Sequence, residues 1–201
     1  MADKALVIID VQKCFLPGGS LAVAEGDNVV SPLNRYIELF RDQGLPIYAT
    51  RDWHPNVTIH FKAYGGLWPP HCIQNTPEAE FAPGLELPEN VEIISAGIGP
   101  DEEGYSGFEG FTKEGQSFMD SLQAHGIRHL YVGGIATDYC VRYTVLDALR
   151  RGFRVTVLTD AIRGVDLEPG DSQRAIDEMV QNGAKTFEIE DVEKDIRAVP
   201  A

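Results

Sequence analysis

No apolar run in this sequence approaches the roughly 20 residues that a membrane-crossing helix requires, so an integral membrane protein is not expected. A basic stretch followed by a long apolar segment and a small-residue cleavage site is also missing. No secretory signal is therefore read, and a cytoplasmic location is expected. Basic residues are scarce: 17 Lys and Arg stand against 31 Asp and Glu, a formal charge of −14. A nucleic-acid binder needs a basic face, and an anionic membrane repels such a chain, so neither partner is expected. Cysteine is scarce too. Cys14, Cys72 and Cys140 are odd in number and widely spaced, which is not a disulfide framework. Each is read as a small buried hydrophobe or a reactive thiol. Internal repeats, low-complexity tracts and linkers are absent.

What is present is a soluble-protein balance of 43% apolar and 24% charged residues over 201 positions, enough for one domain spanning 1–201. Strand-like apolar runs fall at Ala5–Ile9, Pro46–Ala49, Val91–Ile94, His129–Val132 and Arg154–Leu158, with a weaker one at Thr186–Ile189. Helical patterns lie between them at Val29–Gln43, Glu114–His125, Asp138–Arg151 and Ser172–Asn182. Each is followed by a glycine, the usual helix stop. Alternating strands and helices predict an α/β fold, with three αβα layers and a mostly parallel sheet of about six strands. Ligands in such sheets bind beyond the carboxyl ends of the strands. The segment from Arg51 to Glu89 breaks the pattern. It is rich in Pro, Gly, His and Trp, and a loop that long is usually functional. The tail after Glu190 is polar and yields no element.

Chemistry-bearing residues collect at the expected strand ends. Asp10 directly follows the first strand. Asp52 and His54 are two residues apart, so in extended chain they share a side, and His71 can join them through the loop. One carboxylate and two imidazoles suit a borderline divalent ion, zinc foremost, with iron or manganese as alternatives. His60 lies in the same loop as a further candidate ligand, whereas His125 and His129 read as structural. In Tyr131-Val-Gly-Gly-Ile-Ala-Thr-Asp-Tyr-Cys140, a strand ends at two glycines and a turn follows. Thr137 or Asp138 is expected to cap the next helix, placing Cys140 in its first turn. There a helix N-terminus lowers a thiol pKa, and backbone N–H groups can hold an oxyanion. Cys140 is thus read as a nucleophile with Asp10 as its proton acceptor. Cys14 and Cys72 lack this setting and are read as structural.

Five pieces, in order, resemble the isochorismatase-like cysteine hydrolases, and within them the nicotinamidases. They are Val7-Ile-Ile-Asp-Val-Gln12, Asp52-Trp-His-Pro55, Trp68-Pro-Pro-His-Cys72, Tyr105-Ser-Gly-Phe-Glu-Gly110 and Gly134-Ile-Ala-Thr-Asp-Tyr-Cys-Val141. The resemblance implies hydrolysis of a small-molecule primary amide, nicotinamide, to nicotinate and ammonia through a cysteine thioester. It implies Asp10 and Cys140 as two members of a catalytic trio, and Asp52, His54 and His71 as metal ligands. It implies an oxyanion hole at the backbone N–H groups of Ala136 and Cys140, beside a cis Ile135–Ala136 peptide bond. Phe15, Leu21, Trp68 and Tyr105 would wall the ring pocket. A homo-oligomer is expected. Other amides, isochorismate, or binding without turnover are the alternatives.

One departure matters. The family's third catalytic residue is a lysine just after the third central strand. In Ile93-Ile-Ser-Ala-Gly-Ile-Gly-Pro-Asp101, alignment on Pro100-Asp101 places Ala96 there. A single loss, to alanine, with the remaining motifs intact is the pattern of deliberate replacement rather than of natural decay. The expectation is a hydrolase with its nucleophile in place and its cationic activator missing. A smaller departure is His60, where the family often carries Ser.

Overall fold

The run Lys4–Ile9 forms β1, and every residue beyond Lys4 is buried. Such burial is what a parallel strand covered on both faces demands. Five strands join it, all in parallel: β2 (Ile47–Asp52), β3 (Glu92–Ala96), β4 (His129–Ile135), β5 (Arg154–Arg163) and β6 (Lys185–Phe187). The order across the sheet is β3-β2-β1-β4-β5-β6 in this computed structural model, which describes residues 3–197. The chain steps outward from β1 to β3, then crosses back to lay β4 against the free side of β1. Between the carboxyl ends of β1 and β4 lies the switch point where open α/β sheets bind ligands.

Helices cover both faces, giving the three expected layers. On one side, α1 (Val30–Asp42) sets Leu33, Ile37 and Phe40 against Leu6, Ile8 and Tyr131. There α5 (Ile189–Arg197) adds Ile189 and Val192. On the other side lie α2 (Phe118–Ala124), α3 (Arg142–Arg150) and α4 (Asp171–Gln181). They contribute Phe118, Leu122, Val145 and Met179 to a core built on Val7, Ile9, Tyr48 and Val132. Among the described residues, no helix is long and apolar enough to cross a membrane. Gly134 in β4 shows why this strand ends in glycines. Its φ is 126°, and a Cβ there would collide with the carbonyl oxygen of Ile9 in β1. A glycine at 134 therefore lets the two strands that flank the switch point run together.

Several boundaries differ from the sequence reading. Strands β2 and β3 run further than their apolar cores, so Asp52 and Ala96 are strand-end residues rather than loop residues, paired in register. Strand β5 continues past an irregularity opposite Val132–Gly134 to Arg163. Helix α2 begins four residues later than its periodicity suggests, because the Ser117 side chain caps it by accepting from the Asp120 N–H. The tail after Glu190, read as featureless, completes α5. Its apolar positions Ile189, Val192 and Ile196 are spaced for one face, and they pack on α1 and the sheet. The expectation of three unpaired cysteines is overturned as well. Cys14 and Cys72 form a disulfide, with Cα atoms 5.6 Å apart, and only Cys140 is free. Spacing in sequence could not foresee this, because the pair closes only once the 51–89 segment folds back on the turn after β1.

Candidate active site

Beyond β4 the chain makes a widened, π-type turn, Thr137–Val141, that holds Cys140 and runs into α3. Such turns are frequent at functional sites. The peptide bond Ile135–Ala136 is cis. The Ala136 carbonyl accepts from the N–H groups of Tyr139 and Val141, both at 3.1 Å. Neither Thr137 nor Asp138 caps this turn, contrary to the sequence reading. Asp138 faces the other way, accepting from the N–H groups of Val165 and Asp166 at 2.9 and 2.8 Å. It thereby fixes the segment after β5 that brings Val165 to the pocket.

Asp10 sits across the switch point at the end of β1, 3% exposed and with φ of 48°. Thr50 holds it twice: the hydroxyl donates to Oδ1 at 2.6 Å and accepts from the Asp10 N–H at 3.2 Å. The Cys140 sulfur faces the Asp10 carboxyl: ligand atoms of Asp10, Asp52 and Cys140 all lie within 4.8 Å of one another. Burial, then the Asp52 charge, pushes the Asp10 carboxyl well above its usual range, against the pull of Thr50 and Cys140. Burial, Asp10 and Asp52 likewise push the Cys140 thiol up, with the Ala136 N–H opposing. The thiol lowering expected from a helix start is thus outweighed. Ala96, buried at the end of β3, supplies no cation, and no Lys or Arg lines the pocket.

Asp52 also faces the histidines. Its Oδ2 is 3.6 Å from Nε2 of both His54 and His71. Burial alone would raise the Asp52 carboxyl, but the two imidazoles outweigh it and hold it low. Gln12 clamps the Asp52 backbone, its side chain accepting from Asp52 N–H and donating to Asp52 C=O, both at 2.8 Å. His54 is fully buried, and neither ring nitrogen has a partner among the described residues. Leaving both unpaired would be costly unless something binds there. The Nδ1 of His71 is bonded to the Pro69 carbonyl at 2.8 Å, leaving Nε2 for the cluster. His60, departing from the family's frequent Ser, joins them: ligand atoms of His54, His60 and His71 lie within 4.8 Å of one another. Burial and His54 push His60 down to about 4, so it is neutral at pH 7 with a lone pair to offer. One carboxylate and three imidazoles make a donor set for a divalent metal ion.

The two nests open into one small pocket, with about 350 Å³ of space counting its open mouth. All five residues expected to touch substrate line it: Phe15, Leu21, Trp68, Tyr105 and Ala136. Trp68 donates to the Tyr105 hydroxyl at 2.9 Å and meets Tyr139 edge-on, ring centroids 4.9 Å apart. Sequence reasoning did not foresee Tyr139, Val165 or Glu103 in the lining, nor the roles of Gln12 and Thr50. Tyr139 and Gln12 lay inside quoted motifs, but only the fold shows where their side chains go. Val165 and Glu103 carried no local signal.

A thiol beside a carboxyl at the switch point of a parallel sheet, next to a histidine-rich nest, is the arrangement of a cysteine-based hydrolase. The isochorismatase domain model matches residues 4–191, and the chain belongs to that family. It is 37% identical to the nicotinamidase of Escherichia coli (strain K12), covering 96% of this chain and 99% of that one. It is 38% identical to the nicotinamidase/pyrazinamidase of Mycobacterium tuberculosis, covering 82% and 89%. The pyrazinamidase of Pyrococcus horikoshii, solved in complex with zinc, superposes with a TM-score of 0.86 at 46% identity, covering 94% of this chain and all of that one.

Proposed function

We propose that this protein is an amidohydrolase that converts nicotinamide to nicotinate and ammonia, and that its turnover is weakened at Ala96. The observation that carries this reading is the Cys140 thiol beside the buried Asp10 carboxyl, with Cys140 lining a small aromatic-walled pocket. Asp10 takes the thiol proton as sulfur attacks the carbonyl carbon. The resulting oxyanion rests on the backbone N–H groups of the turn, Ala136 and Cys140. The tetrahedral adduct collapses, the C–N bond breaks, and ammonia leaves with the proton held by Asp10. Water then attacks the thioester while Asp10 takes its proton, releasing the carboxylate and regenerating the thiol. Phe15, Leu21, Trp68 and Tyr105 sandwich the ring and exclude water.

Asp52, His54 and His71, with His60 as a fourth ligand, would hold the divalent ion, with zinc as the identity this donor set favours. When bound, the ion supplies a positive anchor for the lone pair of the pyridine nitrogen. His54, with two buried nitrogens and no hydrogen-bond partner among the described residues, supports this assignment.

A cation at position 96 would sit beside Asp52 in the strand register, near the carboxylate–thiol pair. Its charge would favour the thiolate and stabilise the transition state. Ala96→Lys should therefore raise ammonia release from nicotinamide by about 10²–10⁴-fold, the scale of general acid–base and oxyanion contributions. An unchanged rate in a folded variant would sink the reading of Ala96 as the missing activator. A binder that does not turn over is the second reading, favoured by the absence of any pocket cation. Calorimetric nicotinamide binding without ammonia release, even after Ala96→Lys, would select it.

A further inference from the structure

The three imidazoles of the nest are held differently. His71 Nδ1 bonds a backbone carbonyl, His54 has no hydrogen-bond partner among the described residues, and His60 Nδ1 lies 2.9 Å from Glu103 Oε2. We infer that Glu103 orients His60 as a metal ligand and thereby sets the affinity of the nest for its ion. This rests on the metal reading given above and deepens it.

The geometry assigns the proton and the lone pair. A carboxylate can only accept, so His60 must donate from Nδ1, which leaves Nε2 with the free lone pair for a metal. A carboxylate behind an imidazole also makes that imidazole a stronger donor. The arrangement is anchored on both sides of Glu103. Upstream, Gly99 N–H donates to Glu102 Oε2 at 3.1 Å, and Ile59 N–H donates to the Pro100 carbonyl at 2.9 Å. The second bond ties the loop carrying His60 to the loop carrying Glu103. Downstream, Gly104 N–H and Ser106 N–H donate to the two oxygens of Glu109, both at 3.2 Å. Between these anchors Glu103 has little freedom except in its side chain, whose exposure is 48%. Gly97 closes the back of the nest, because a Cβ there, at φ of 64°, would fall on the His54 ring. The segment after β3 thus backs His54 at Gly97, holds His60 at Glu103 and walls the ring pocket at Tyr105.

The test is zinc competition against a chromophoric chelator, using the full chain and needing no turnover. Glu103→Ala should weaken zinc binding by about 10–100-fold, the usual effect of losing such a partner. Glu103→Gln keeps an oxygen acceptor for Nδ1–H and should lose less. In a His60→Ala background, Glu103→Ala should cost nothing further, because its partner is gone. The cobalt-loaded form should show a shifted visible band for Glu103→Ala. A parent that binds one equivalent no more tightly than Glu103→Ala overturns the inference alone. So does an additive loss in the His60→Ala background. A parent that takes up no stoichiometric ion overturns the metal reading together with it.

Discussion

The Cys140 nest and the histidine nest share Asp52, yet they are assembled by different means. Asp10 and Cys140 follow the two strands that flank the switch point, β1 and β4. Their approach is set by the sheet itself, with Gly134 against Ile9 and Thr50 gripping Asp10. The histidines sit beyond β2 in an irregular segment held by isolated contacts. His54 N–H donates to the Cys72 carbonyl at 3.1 Å, Lys62 N–H to the Trp68 carbonyl at 2.7 Å, and the Cys14–Cys72 disulfide fastens the far end. One nest is two acids and a thiol with no counter-charge; the other is one acid among three imidazoles. Topology places the first, whereas cross-links and loop contacts place the second. Each nest should therefore fail under a different perturbation.

The largest effect should come from the nucleophile. In the Ala96→Lys background, Cys140→Ala should abolish nearly all nicotinamide hydrolysis, a loss of about 10⁶-fold, the scale seen when a hydrolase nucleophile is removed. Zinc binding should be left intact, and a variant that lost both together would break the distinction between the nests. Ala96→Lys should also move the acid limb of the kcat/KM profile to lower pH. The added cation stabilises the Asp10 carboxylate, which burial and Asp52 now hold well above its usual range. An acid limb that stays in place would show that the charge does not reach Asp10.

The second nest should yield to loss of its cross-link. The disulfide closes a separation of 58 residues, and loop entropy of that length corresponds to about 4 kcal/mol. Cys72→Ser should lower unfolding stability by that order in denaturant titrations. It should also weaken zinc binding, since residue 72 adjoins His71. Unaltered zinc affinity would mean that the loop contacts suffice. The smallest effect lies away from both nests. His129 stands at the start of β4, 7% exposed, and burial and Arg154 push it down to about 4 from 6.5. The folded state then binds fewer protons than the unfolded one between those values, so stability is present above pH 6.5 and lost as pH falls toward 4. His129→Gln should flatten the melting-temperature slope in that window and leave hydrolysis unchanged.

This contrast also explains what could be read from the chain. Apolar runs located β1 to β5, because a parallel strand covered on both faces is largely apolar, whereas the edge strand β6, Lys-Thr-Phe with two exposed residues, gave only the weak run. The same logic truncated β2 and β3, since Asp52 and Ala96 are polar or small where the strands leave the core. Asp10 was legible because it follows β1 directly, and Cys140 because it lies in the turn that follows the two glycines of β4. Asp52, His54 and His71 were legible as a concentration of ligand types. The Cys14–Cys72 pair, the Asp138 clamp on Val165 and the Glu103–His60 contact were not, because each joins residues distant in sequence. Helix α5 was missed for another reason: its charged residues masked a narrow apolar stripe at Ile189, Val192 and Ile196.

The aromatic wall of the pocket has an optical consequence. The chain carries two tryptophans, and they occupy different worlds. Trp68 lines the ring pocket, while Trp53 lies under the Arg51 guanidinium, 3.7 Å from its ring centre. A pyridine entering between Trp68 and Tyr105 touches one emitter and leaves the other as an internal standard. Ligand occupancy can therefore be followed by light, independently of turnover.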